Sequence, residues 1–162
     1  MSEILSIIKE DKRPVTPRTS ELGLRGESLA AKFLSSSGYR IVITNFKVPV
    51  GRNSKGVQVT GEIDVIALEG ETLCFIEVKT RQSEDFAPVI AAVDARKQRQ
   101  ITRTSKVYRK VFGIRDMNYR FDVVTVLIGK NAEPRIDIVK GFWTESKFRK
   151  RRWRDEAFHD FT

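Results

Sequence analysis

Gly61-Glu-Ile-Asp-Val-Ile-Ala-Leu-Glu-Gly-Glu-Thr-Leu-Cys-Phe-Ile-Glu-Val-Lys-Thr-Arg81 reads as two strands joined by a tight turn at Glu69-Gly70-Glu71. Apolar residues fill both strands, and Asp64, Glu77 and Lys79 interrupt them. Side chains alternate faces along a strand, so Glu77 and Lys79 share a face with Leu73, Phe75 and Arg81. On the first strand Glu62, Asp64, Ile66 and Leu68 share a face. A turn with an even number of residues sets even positions of the first strand against odd positions of the second. Asp64 then lies opposite Glu77 or diagonal to it, about 4.5–8 Å away. Two carboxylates so placed repel, and half-burial strips water from both. Folding alone gives no reason for the pairing, whereas a divalent cation does, because hard cations gather several carboxylate oxygens at one point.

Lys79, two residues past Glu77, completes the constellation. An ammonium there can hold or polarise a water beside a metal, or stabilise charge building on a phosphate under attack. The backbone carbonyl of Val78 is a further candidate ligand. The plainer reading is a structural salt-bridge cluster, or the solvated face of an edge hairpin. An isolated E-x-K carries almost no information. The joint pattern of carboxylate, tight turn, apolar strand and E-x-K on one face carries more, since perturbed carboxylate pairs mark functional sites.

Asp64, twelve residues, then Glu77-Val-Lys79 resembles the signature of the PD-(D/E)xK nucleases, which share the restriction-endonuclease-like fold. Four segments together resemble the YraN-like family of bacterial proteins, itself similar to the archaeal Holliday-junction resolvases. They are Gly26-Glu27-Ser-Leu-Ala-Ala, Gly38-Tyr-Arg-Ile-Val-Ile-Thr-Asn45, Gly61-Glu-Ile-Asp64 through to Phe75-Ile-Glu-Val-Lys-Thr-Arg81, and Arg120-Phe-Asp-Val-Val124. Ile63 stands where the nuclease signature often has proline, and Val48 to Thr60 looks like an insertion relative to shorter family members. The resemblance implies that Glu27 is the helix glutamate directed at the metal site, and that Lys97 is a lysine pointing at it.

A chain of 162 residues suits one domain. It has no apolar run of membrane-span length and no N-terminal signal-like stretch, so no membrane partner and a cytoplasmic location are expected. Its lone cysteine, Cys74, cannot form an internal disulfide; it points away from the Glu77 face and reads as a small core residue. The net charge of +9 draws the protein to polyanions. The single histidine, His159, excludes two-histidine zinc sites and histidine-dependent nucleases, and no P-loop or dinucleotide fingerprint is present.

In chain order, residues 1–20 form a mobile lead-in with Pro14 and Pro17. Thr19 or Ser20 caps a helix running to about Ser37, where Gly38 stops it. Leu22, Leu29, Ala30, Phe33 and Leu34 form its apolar stripe, and Gly23 and Gly26 permit close approach to a sheet. By position alone Glu27, on the margin of that stripe, is a snorkelling surface residue. Tyr39–Lys47 is the first strand. Val48–Thr60 reads as a loop or a short hairpin excursion whose Arg52 and Lys55 overhang the site. Residues 82–86 are polar and mobile. Helical pattern resumes at Pro88 and continues from Asp94 to Phe112, with Ile101, Tyr108, Val111 and Phe112 facing one way. Arg99, Arg103, Lys106 and Lys110 form an outer stripe at helical spacing. Between Arg96 and Arg115 there are eight basic residues and no acidic one, a run that self-repels unless a polyanion offsets it. Arg120–Ile128 is a buried strand in which Asp122 pairs with Arg120 or another cation. Arg135–Lys140 is a shorter strand, and residues 144–162 form a basic tail.

The expected fold is an α/β, restriction-endonuclease-like sandwich over residues 21–143, with a mixed central sheet flanked by helices. The expected function is Mg²⁺- or Mn²⁺-dependent phosphodiester hydrolysis on DNA structures in recombination or repair. Asp64, Glu77, the Val78 carbonyl and Glu27 hold the metal, and Lys79 orients the attacking water. Arg81, Lys97, Arg99, Arg103 and Lys106 hold the substrate backbone, with RNA as the alternative polymer. A homodimer is suggested by the resolvase resemblance. The rival reading is a nucleic-acid-binding module on the same fold, without turnover, serving a partner enzyme.

Overall fold

The computed structural model describes residues 17–83, 88 and 93–149, and of residues 17–20 the backbone alone. Most of the lead-in, the segment around Pro88 and the greater part of the basic tail, His159 included, lie outside the described residues. Helix α1 spans Pro17–Ser36, strand β1 Tyr39–Arg52, β2 Gln58–Glu69, β3 Thr72–Arg81, helix α2 Ala95–Val111, β4 Tyr119–Leu127 and β5 Arg135–Trp143. A 3₁₀ turn over Glu145–Phe148 follows.

The five strands pair in the order β1-β2-β3-β4-β5. Every pair is antiparallel except β3 with β4, which is parallel because α2 carries the chain back across the sheet. α1 lies on one face, over Val65, Ala67, Cys74, Ile76, Val124 and Val126. α2 lies on the other, over Phe46, Ile66, Phe75, Phe121, Val123 and Trp143. The molecule is thus an α/β sandwich with a mixed central sheet and a helix on each side, as the sequence implies.

Several boundaries differ from the sequence reading. α1 begins at Pro17, so Thr19 and Ser20 lie inside its first turn rather than capping it; proline is well suited to a first helical position. Of the two readings for segment 48–60, the hairpin holds and only its extent is larger: β1 and β2 continue through it, and Asn53–Val57 alone is loop. Val111 and Phe112 are exposed instead of joining Ile101 and Tyr108 in the core. Val111 is the last helical residue and Phe112 its C-cap, so both stand at the exposed end of the helix, although Phe112 rests against the Tyr108 ring at 4.7 Å. Asp94 caps α2 by accepting the Lys97 N–H at 2.9 Å.

Gly26 sets the distance between α1 and the sheet. A β-carbon at this position would overlap the Thr80 hydroxyl near the end of β3, whereas Gly23 has open space beside it. Gly26→Ala is therefore expected to cost about 1–3 kcal/mol through overpacking, offset by the roughly 1 kcal/mol that alanine gains over glycine in a helix. Gly23→Ala lacks that clash. Urea melts of the two variants check this.

At the turn end of the sheet, Asp122 is fully buried and takes the Arg120 guanidinium in two bonds, Nε to Oδ1 at 2.7 Å and Nη2 to Oδ2 at 2.9 Å. The Gly141 N–H donates to the same Oδ1 at 2.9 Å. Arg120 Nη2 also reaches Glu69 at 2.6 Å and the Tyr39 hydroxyl at 3.1 Å, and Lys140 pairs with Glu69. Asp122 is thus the structural partner of Arg120. Cys74 sits buried beside this knot, its thiol pushed up to about 11, chiefly by burial.

Candidate functional site at the strand fork

The sheet splits where the carboxylates lie. β2 and β3 pair from Glu69↔Thr72 to Val65↔Ile76 and then part. β2 continues with β1 alone, to Arg52↔Gln58, and β3 continues with β4, to Arg81↔Leu127. Asp64 and Glu77 are the next residues on the two diverging strands. Parting leaves the Val78 N–H without a strand acceptor, and a buried amide without one is costly. The Asp64 carboxylate accepts it, Oδ2 to N 2.8 Å. A residue in a strand turns its N–H and C=O to the same side, so the Val78 carbonyl also faces the fork.

Glu77 is 2% exposed. Its Oε1 accepts from Lys79 Nζ at 2.8 Å and lies 3.4 Å from Lys97 Nζ. Its Oε2 is buried and has no hydrogen-bond partner. A buried carboxylate oxygen without a partner is rare in a native structure and calls for an ion, a water or strain to explain it.

Glu27 reaches the fork from α1, one residue after the close contact at Gly26. It accepts a hydrogen bond from Asn45, whose φ of 53° bends β1 opposite Asp64. Asparagine tolerates this left-handed backbone better than most residues. The pleat is disturbed here, for Ile63 and Ile66, three apart, both join the α2-side core. Lys47 and Glu62 close the rim, 3.7 Å apart.

The electrostatics are those of crowded carboxylates. Burial first, then Glu77, pushes the Asp64 carboxyl well above the usual range; the Val78 N–H and Lys97 oppose, and Glu27 adds to the rise. Glu27 is raised by burial, then by Glu62, with Glu77 adding a smaller push and Asn45 and Lys47 opposing. Both groups hold protons more tightly than free carboxylates because negative charge is concentrated in a dry place.

The structure thus brings together Asp64, Glu77, Val78, Lys79, Lys97 and Glu27. The remaining basic residues are dispersed. Arg81 is exposed at the end of β3, with its guanidinium on the Thr80 carbonyl at 3.0 Å. Arg99 lies over the Phe148 ring at 5.4 Å, and Arg103 donates to the Val50 carbonyl at 2.9 Å. Lys106 sits further along α2 and pairs with Glu145 at 3.2 Å. Asn45 and Lys47 belong to the site and were not singled out from the sequence. An asparagine inside a β-rich run was the available sign for the first of them.

Among the described residues, no group of three or more histidine, cysteine, aspartate or glutamate side chains is arranged to enclose an ion. The donor set suits a hard cation that keeps most of its own waters, such as Mg²⁺, which takes one or two carboxylates and completes its shell with water and phosphate. Asp64 and Glu77 supply those two, and the orphaned Oε2 has a lone pair to give.

Residues 26–126 match the model of a family described as "Uncharacterised protein family UPF0102". The chain belongs to UPF0102. A UPF0102 protein of Chlorobium limicola is 37% identical over 131 residues, covering 77% of this chain and 94% of that protein. A UPF0102 protein of Geobacter sulfurreducens is 40% identical over 116 residues, 72% of this chain and 83% of its own length. The UPF0102 match takes in Glu27, Asn45, Asp64, Glu77, Lys79 and Lys97 and stops before β5. A solved structure described as "Crystal structure of SSO0001" aligns over 82% of this chain and 56% of that one, at 16% identity and a TM-score of 0.40. A likeness of that size decides nothing about the UPF0102 fold. No helix among the described residues is long and apolar enough to cross a membrane.

Proposed function

We propose that this protein is a Mg²⁺- or Mn²⁺-dependent nuclease that hydrolyses phosphodiester bonds in DNA. The observation that carries this reading is the buried Glu77 with one oxygen unpartnered, beside an Asp64 whose carboxyl burial and Glu77 push upward. Such an arrangement costs folding energy, and a divalent cation would offset it by giving both groups a positive partner. The sequence resemblance to the PD-(D/E)xK nucleases points the same way.

On this reading Asp64, Glu77 and the Val78 carbonyl hold the cation, with Glu27 assisting directly or through water. When bound, the cation supplies electrostatic stabilisation of the phosphoryl oxygens and eases ionisation of water. Lys79 Nζ, held 2.8 Å from Glu77, orients the attacking water and carries positive charge towards the phosphate. Lys97, in the same place from α2, adds a second cation. Exposed Arg81, Arg99 and Arg103 grip the backbone without reading bases, so recognition follows nucleic-acid structure more than sequence.

One observation favours a second reading. Both lysines already neutralise Glu77 Oε1, which a non-catalytic DNA-binding module would also do. Incubation of the full chain with branched, duplex and single-stranded DNA in Mn²⁺ or EDTA separates the two. Cleavage that requires metal and falls about 100-fold or more in Lys79→Ala, with DNA binding retained, supports the enzyme. Salt-sensitive binding with no cleavage in either metal supports the module.

A further inference from the structure

Beyond the fork, β1 and β2 run on as a two-stranded arm, paired from Phe46↔Ile63 to Arg52↔Gln58 and closed by the Asn53–Val57 turn. An isolated two-stranded ribbon is marginal in water, yet this one is braced. The Arg103 guanidinium donates to the Val50 carbonyl at 2.9 Å, and the Gln100 amide to the Thr60 carbonyl at 3.2 Å. Gly61 lies so close to Thr104 that a β-carbon there would overlap its hydroxyl. α2 therefore fixes the direction of the arm.

The charge on the arm has one sign. From Phe46 to Gly61 the sequence holds Lys47, Arg52 and Lys55 and no acidic residue. Lys47 is taken up at the root by Glu62. Arg52, Lys55 and the bracing Arg103 are exposed and have no carboxylate partner among the described residues. Arg52 Nη1 instead donates to the Gly56 carbonyl at 2.7 Å, which holds the turn closed and its cation at the tip. Like charges on a stiff ribbon repel unless a polyanion lies along them.

The length of the arm fixes where that polyanion would be met. Six residues separate Asp64 from Gln58, about 20 Å at the usual strand rise. Duplex DNA advances about 3.4 Å per base pair, so the tip stands about 6–8 base pairs from the fork. We infer that the arm is a second, sequence-independent contact for duplex DNA, gripping the backbone 6–8 base pairs, in that approximate measure, from the phosphate at the fork. The inference rests on the nucleic-acid reading of the site and adds a length requirement to it. A substrate needs a duplex flank long enough to reach the tip.

Fluorescence anisotropy in EDTA, with DNA hairpins having stems of about 5 and about 14 base pairs, tests the arm apart from catalysis. Wild-type protein is expected to bind the long stem about tenfold more tightly than the short one. Arg52→Glu combined with Lys55→Glu removes that gain, lowers the salt slope on the long stem by about 2, and leaves the short stem unchanged. Lys55→Glu alone, at an exposed side chain with no hydrogen bond or ion pair among the described residues, removes part of the gain without disturbing the turn. Equal loss on both stems, or no loss on either, overturns the arm contact while leaving the nucleic-acid reading intact. Wild-type protein that binds neither stem at low salt overturns the nucleic-acid reading itself.

Discussion

Asp122→Ala is expected to lower the stability of the domain by about 3 kcal/mol, at the lower end of the cost of breaking a buried ion pair. Asp122 is fully buried and supplies three hydrogen bonds, two to Arg120 and one to the Gly141 N–H. Removal leaves that amide without its acceptor and deprives Arg120 of its bidentate partner. Glu69 and Tyr39 still hold the guanidinium, and Arg120 is partly exposed, which keeps the loss from being larger. At this size each kcal/mol shifts Tm by about 2–4 °C, so a fall of about 6–12 °C is expected in a thermal melt. Asp122→Asn keeps an acceptor for Gly141 and costs less. Neither change touches the fork, so the DNA cleavage proposed above, measured well below Tm, is expected to stay near the wild-type rate.

Asp64→Asn is expected to work in the opposite direction on stability and, on the proposed nuclease reading, to remove cleavage. The amide oxygen can still accept the Val78 N–H, while the negative charge that burial and Glu77 disfavour is gone. In EDTA at pH 7–8 the variant is expected to gain about 0.5–2 kcal/mol, a Tm higher by a few degrees, as stabilising replacements in active sites do. If the proposed metal reading holds, cleavage falls below detection, and the rise in Tm that Mn²⁺ is expected to give the wild type is lost in the variant. The pH dependence follows in sign. The folded-state carboxyls of Asp64 and Glu27 lie above their ordinary values of 3.8 and 4.5, so in that window the folded chain binds more protons than the unfolded one. The contribution of these two carboxyls to stability therefore falls as pH rises through the window and recovers as the metal-free protein is acidified from neutral, while the lowered carboxyls of Glu69 and Glu145 work in the opposite sense. The gap between variant and wild type narrows over the same range. A constant gap from pH 5 to 8, in thermal melts with EDTA, would remove Asp64 as its source.

Much of this was legible from one hairpin. Period-two alternation and an even turn set Asp64 against Glu77, and the observed pairing Val65↔Ile76 agrees with that register. The family resemblance pointed Lys97 at the site, and its ammonium does lie beside Glu77. Asp122 announced itself as a buried charge needing a cation. What local pattern could not reveal was the parting of β2 from β3, because alternation describes a strand and not the divergence of two. A hairpin over 48–60 was one of two readings, and what stayed hidden was its length: Pro49, Gly51 and Gly56 read as loop formers, yet β1 is an edge strand, where proline costs no ladder bond. Asn45 escaped notice because its φ is set by the bend of the sheet. Val111 and Phe112 were misplaced because a helical stripe says nothing about where its helix stops.

The gap between Asp64 and Glu77 is held by a crossbeam. α2 touches one tine of the fork through Arg103 and Gln100 and the other through Lys97. Two ribbons free to splay would leave the carboxylates at a variable spacing, whereas a helix spanning both gives that spacing its own stiffness. The instrument is a tuning fork with a bar across its prongs, set to one pitch before anything arrives to strike it.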